Sequence, residues 1–145
     1  MSEANKQTAL KFLHAMSDAD ATRMAECLTP DAFTVTKGFG QVSGQRNRDM
    51  MLATTDAFRE IVPTGFRPKI EKVVAEGNNV VLEFEGNAVL SNGKPYCNQY
   101  VFIFTFENGK IRQLNEYFCT VLADSTVLPL LAQKGDAYAH GTEGH

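Results

Sequence analysis

A chain of 145 residues, 43% apolar and 21% charged, has the size and apolar content of one globular domain with its own core. Its formal charge of −3, with basic residues scattered and Arg46-Asn47-Arg48 the one tight group, lacks the clustered Lys and Arg of a nucleic-acid surface. No apolar run nears the ~18 residues a membrane crossing requires, and "MSEANKQTALKF" lacks the charged start and apolar stretch of a signal peptide.

Ala9, Phe12, Leu13 and Met16 share one helical stripe, with Lys6, Lys11 and Asp18 off it, which predicts a first helix. "SDADATRMAECLTPDAF" predicts a turn and a short second helix. Asp20 is its N-cap, Met24, Ala25 and Leu28 face inward, and Pro30 ends it. Phe33 to Thr36 reads as a brief strand. "KGFGQVSGQ" reads as a connecting loop, because it lacks the preceding long strand and the Lys of a phosphate-binding loop. Residues 45–61 predict a third helix with Met50, Met51, Ala57, Phe58 and Ile61 as its apolar side, stopped by Pro63.

Everything after this helix reads as strand. "FRPKIEKVVAEG" turns through Gly77-Asn78-Asn79 into "VVLEFEGNAVL", "SNGKP" turns that into "YCNQYVFIFTF", and "ENGK" turns again into "IRQLNEYFCTVLA". Without repeats or a linker, the expectation is one α+β domain over residues 1–145, its core at about 5–130 and a tail at 131–145. In it, three N-terminal helices pack on one face of a strongly curved antiparallel sheet. Such a cone leaves a pocket between helices and sheet, a favoured place for a small ligand.

Alternation assigns the faces. Tyr100, Phe102, Phe104 and Phe106 share one side of their strand, and Val101, Ile103 and Thr105 share the other. Two apolar sides predict a strand covered twice, by the helices within and by a second subunit without, hence a homodimer through the sheet face. Val80, Leu82, Phe84 and Ala88 read as core. Glu83, Glu85 and Asn87 opposite them read as a solvated face rather than an acid/base pair.

The last arm breaks this rule. Glu116 alternates with Leu114, Phe118 and Leu122, placing a carboxylate on an apolar face. Cys27, Cys97 and Cys119, far apart and without a CxxC, read as reduced thiols of a cytoplasmic protein. His14 lies off its helix's inward stripe, and His140 and His145 in the tail make a poor metal site, so no metal or other cofactor is expected.

The order of elements, the segment "LTPDAFTV" and the closing "GKIRQLNEYF" resemble the nuclear transport factor two-like superfamily over about residues 5–130. That superfamily includes ketosteroid isomerases, SnoaL-like polyketide cyclases and limonene epoxide hydrolases. By this resemblance the ketosteroid isomerase oxyanion donor, base and protonated acid fall at Phe12, near Thr36 and at Phe102, none able to serve. The water-positioning pair of the epoxide hydrolases falls at Thr34 and Thr36, and the last acid of their relay at Glu116. Their Arg and other acid fall on Glu83 and Glu85, or on Glu85 and Asn87, with no Arg in either case. The Asp base of the SnoaL-like cyclases aligns with Glu116, and its His partner with Phe102. Cys119 stands at a position where the resemblance implies Asp, and reads as packing.

Two readings result. In one, Glu116 projects into a cavity lined by Phe12, Met16, Phe33, Thr34, Thr36, Met51, Phe58, Leu82, Phe84, Tyr100, Phe102, Leu114 and Phe118. Burial without a cation raises its pKa, and it acts as base of a cofactor-free isomerase or cyclase on a small apolar ligand. Thr34, Thr36, Tyr100 and Asn98 are the candidate oxyanion donors. In the other, Glu116 is a structural acid in a non-catalytic ligand-binding or protein-interaction dimer module.

Overall fold

The computed structural model describes residues 2–135; the tail histidines, and any covering role for the segment from 136 onward, lie outside the described residues. The elements run α1 (Ser2–Ser17), α2 (Ala21–Ala25), β1 (Leu28–Thr36), β2 (Gly44–Asn47), α3 (Arg48–Ile61), β3 (Lys69–Glu76) and β4 (Asn79–Glu85). They continue with β5 (Ala88–Val89), β6 (Pro95–Tyr96), β7 (Gln99–Glu107), β8 (Lys110–Phe118) and α4 (Thr120–Ala132). Among the described residues no helix is long and apolar enough to cross a membrane.

Local chemistry accounts for most boundaries. Asp20 caps α2 by accepting from the Arg23 N–H at 3.0 Å. Asn47 caps α3 by accepting from the Met50 N–H at 2.9 Å. The β7–β8 hairpin turns on Asn108 and Gly109, both at positive φ (51° and 79°), the geometry that an Asn-Gly pair adopts most cheaply.

Six strands form one curled sheet in the order β2-β1-β8-β7-β4-β3, and β5 pairs with β6 apart from it. The helices lie against its inner face, where Val80, Leu82, Phe84, Phe102 and Phe104 are almost wholly buried. Phe12 of α1 meets Phe104 edge to face at 5.5 Å. This is the α+β cone read from the sequence, with several differences.

First, the sheet is mixed. β1 lies parallel to β8, so the first strand closes the sheet beside the last. Second, β1 begins at Leu28 and contains Pro30, which ends no helix. The ladder to β8 is interrupted between Leu28 and Phe33, leaving the proline where no N–H is required. Third, residues 44–47 are an edge strand on β1, and α3 starts only at Arg48. Fourth, the last arm stops at Phe118 and the chain turns into α4. Thr120, Val121, Thr126 and Val127 favour strand locally. Ala123, Val127 and Leu131 nevertheless recur at helical spacing, and with Leu128 they are buried, so packing overrides propensity.

The long second and third arms are also each broken, at Gly86-Asn87 and at Cys97-Asn98. Gly86 permits a close approach there: a Cβ at this position would stand 3.1 Å from Cε1 of Tyr100. On the outer face of the sheet Val101 and Ile103 are half-buried in the single chain, while Thr105 is exposed.

Candidate functional site

Three neighbouring strands supply the polar wall of a cavity. Across β1–β2, Thr34 pairs with Arg46; across β1–β8, Thr34 pairs with Leu114 and Thr36 with Glu116. Paired residues in a ladder point the same way, so Thr34, Thr36, Arg46, Leu114 and Glu116 all face inward. Phe33 pairs with Gln113 and therefore points to the other side.

The cavity holds about 100 Å³ between this wall and the helices. From α1 come Phe12 and Met16, from α3 Met51 and Phe58, from β7 Tyr100 and Phe102, and from β8 Leu114 and Phe118 beside Glu116. Of the thirteen lining positions read from the sequence, Phe33, Leu82 and Phe84 lie outside this wall. Leu82 and Phe84 do face inward, but β4 is one strand farther from β8 and α1 packs over it. Phe84 instead supports the wall from behind, its ring stacked on Tyr100 at 4.7 Å.

Glu116 keeps part of its surface toward the cavity while protein surrounds its carboxylate. The Thr36 hydroxyl donates to Glu116 Oε1 at 3.0 Å, and Arg46 Nη1 donates to that hydroxyl at 3.2 Å. Arg46 Nη2 donates to the Val42 carbonyl at 3.1 Å, and the residue is only 5% exposed. Thr34 donates to the Leu114 carbonyl at 3.0 Å and lies near enough to Glu116 to offer the same proton. Burial raises the Glu116 pKa, opposed first by the charge of Arg46 and then by the threonine hydroxyls. Burial likewise lowers the Arg46 pKa, opposed by Glu116.

The expectation of a carboxylate without a cation is thus corrected: Arg46 is there, one hydroxyl away. Reading residues 45–61 as a helix had hidden it. Only recognition of "GQRN" as a strand beside Thr34 would have turned Arg46 inward. Tyr96 was missed although it keeps the alternation of Tyr100 through Cys97-Asn98, with Tyr96 and Asn98 buried and Cys97 and Gln99 exposed. It lines the cavity, as do Thr54 of α3 and the α4 residues Ala123, Val127 and Leu131.

Asn98, a candidate oxyanion donor, is fully engaged elsewhere: Nδ2 donates to the Tyr96 hydroxyl at 2.9 Å and to the Cys119 carbonyl at 3.0 Å. Cys119 and Cys97 are exposed and Cys27 is buried, all as free thiols. Glu83 and Glu85 lie on the exposed face of β4, away from Glu116. Among the described residues no group of three His, Cys, Asp or Glu is placed to hold a metal ion.

One end of the cavity is covered by the loop after β1 and by α4. Asp124 accepts from the Gln41 and Val42 N–H groups at 2.8 and 2.9 Å, clasping the loop to the helix. Gly40 makes the fit possible, since a Cβ there would stand 2.7 Å from Cβ of Thr120.

A family model for the SnoaL-like domain matches residues 9–114, ending two residues before Glu116. Among solved structures, Bal32a from a soil-derived mobile gene cassette superposes with a TM-score of 0.74 at 20% identity, covering 86% of this chain and 97% of that one. An LEH-like epoxide hydrolase of M. tuberculosis gives 0.71 at 19% identity, with 92% and 96% covered. A protein from Jannaschia, named for SnoaL-like polyketide cyclases, gives 0.67 at 19% identity, with 87% and 92% covered. No curated protein matches the chain in sequence. At these identities the superpositions show a shared fold, and the chemistry has to be argued from the cavity.

Proposed function

The chain belongs to the SnoaL-like domain family, and on that premise we propose that it binds a small hydrophobic molecule in the Glu116 cavity and acts on it as a cofactor-free isomerase or cyclase. The observation that carries this reading is a carboxyl group set among aromatic side chains, its proton affinity raised by burial.

Ionised Glu116 takes a proton from the carbon next to a ligand carbonyl. The C–H electron pair becomes the enolate double bond, and the carbonyl π pair moves onto oxygen. Glu116 then returns the proton at another carbon of the conjugated system, which isomerises the ligand. Alternatively, the enolate carbon attacks a second carbonyl of the same molecule, whose oxygen takes the proton as a ring closes. Neither route needs an external oxidant or reductant. A positioned base of this kind contributes about 10²–10⁴ in rate. Arg46 and Thr36 favour the ionised form against burial, so the group can lose its proton as well as hold it.

Proton–deuterium exchange into a panel of hydrophobic ketones, followed by NMR, tests the reading. Wild-type protein accelerates exchange of one class of ketone, and Glu116→Gln loses the acceleration while keeping ligand affinity in a thermal-shift assay. Exchange that survives Glu116→Gln refutes it.

A second reading rests on the same hydrogen bonds. With Thr36 and Arg46 already tied to it, Glu116 is a structural acid, and the chain is a non-catalytic ligand-binding or protein-interaction module. In that case wild-type protein binds hydrophobes without exchanging their protons. Under either reading we place a homodimer contact on the outer sheet face, where Val74 and Tyr117 are 49% and 43% exposed beside half-buried Val101 and Ile103. Three free thiols accord with residence in the cytoplasm.

A further inference from the structure

Thr54 follows Met51 by three positions and precedes Phe58 by four, so helical spacing turns it to the same side of α3 as both. All three line the cavity. The helix lies against β1 and β2, the strands that carry Thr34, Thr36 and Arg46. A hydroxyl is thus built into the helix wall, across the cavity from the polar wall of the sheet.

This hydroxyl is buried and has no hydrogen-bond partner among the described residues. Helical threonines commonly avoid that state by donating to a carbonyl one turn back. Thr8 does so to Ala4 at 3.1 Å, and Thr126 to Leu122 at 2.6 Å. Thr55 has another solution, donating to Sδ of buried Met24 at 3.2 Å. Thr54 makes neither kind of bond. A water enclosed beside it would need about two to four polar partners, which Met51 and Phe58 on either side do not offer. Native proteins seldom leave a buried polar group unmatched, and here it belongs to a residue of a ligand-sized cavity.

We propose that Thr54 is a specificity-determining residue, whose hydroxyl bonds a second oxygen of the ligand on the edge opposite the carbon that meets Glu116. This rests on the reading of the cavity as a site for a small hydrophobic ketone, and it narrows that class to flat ketones with a hydroxyl on the far ring. Met16, Met24, Met51 and Phe58 line the cavity as well, an apolar and adaptable surface. A ligand oxygen lying against them would be buried without a partner, whereas one at Thr54 is matched. A site that pairs a ligand hydroxyl in this way discriminates against the analogue that lacks it.

Titration calorimetry with 6-hydroxy-1-tetralone and 1-tetralone tests this. The two share rings and ketone and differ only in the distant hydroxyl. Wild-type protein binds the hydroxylated compound about 10-fold more tightly, as expected for one added hydrogen bond in a buried site. Thr54→Val abolishes the preference by weakening that compound alone, and Thr54→Ser retains it. The urea midpoint of ligand-free Thr54→Val does not fall, because valine replaces an unpaired hydroxyl with an apolar group of the same shape. A lower midpoint would mean that the hydroxyl serves the fold, and it overturns the proposal. So does a preference that survives Thr54→Val. Equal binding of both compounds to wild type refutes this proposal alone, while binding of neither refutes it together with the ketone-binding reading. The assay reads affinity without turnover, so a failure of Glu116 as base leaves its result standing.

Discussion

Thr36 and Glu116, eighty residues apart, face each other across the parallel β1–β8 pair and share a hydrogen bond of 3.0 Å. The hydroxyl accepts from Arg46 while it donates to the carboxylate, so a single side chain passes the influence of a buried cation to a buried acid.

Thr36→Val removes that connection without changing the side-chain shape. The acid loses a donor that favours its charged form, so its pKa moves further up. Carboxyl-carbon NMR titration, with Glu116→Gln identifying the resonance, reads the shift. The variant also loses about 1–3 kcal/mol of stability, because Arg46 and Glu116 each lose a partner. A downward shift would show that Thr36 does not stabilise the carboxylate.

Stability against pH reports the same acid. Its pKa in the folded chain is raised above the ordinary 4.5, so the folded state holds the proton more tightly than the unfolded state. Below 4.5 both states are protonated and wild type carries no ionisation penalty. As pH rises from there through the raised value, wild type loses stability relative to Glu116→Gln, and above that value the difference is constant. Urea midpoints from pH 4 to 8 for the two chains give the curve, and parallel curves would exclude a raised pKa.

Asp124→Ala frees the loop that covers one end of the cavity. Two backbone N–H groups, of Gln41 and Val42, lose their acceptor. The expected cost is about 1–3 kcal/mol, together with faster association of hydrophobic ligands in stopped-flow fluorescence. An unchanged association rate would show that ligands enter elsewhere.

Ile103→Lys places a charge in the centre of the outer sheet face. If that face holds two subunits together, sedimentation velocity shows a dimer for wild type and a monomer for the variant, with the cavity still binding ligands. A wild-type monomer would remove the dimer proposal.

The sheet and its inner face were legible because β7 alternates strictly and its turn into β8, Asn108-Gly109, is unambiguous. Glu116 stood out for the same reason, as a charge that breaks a regular pattern. Arg46 did not, because a four-residue edge strand is too short to show a period, and its neighbours "NRDMML" run on into a helix. The parallel partner of β8 was hidden as well. Pairing between residues 34 and 114 leaves no local trace, whereas hairpins announce themselves by their turns. Helix α4 was concealed by β-branched residues whose local preference is opposed only by burial in the finished fold.

The seating of β1 beside β8 also dictates when the site can exist. β1 emerges early in synthesis and has only short β2 to pair with until the whole hairpin series that ends at Phe118 has been made. A ribosome-bound chain that has released only α1 through β7 carries Thr36 and Arg46 with no acid to meet them. The long-range closure that completes the sheet is the step that loop entropy slows most. The cavity and its chemistry therefore appear together and late, as the outcome of folding the entire domain.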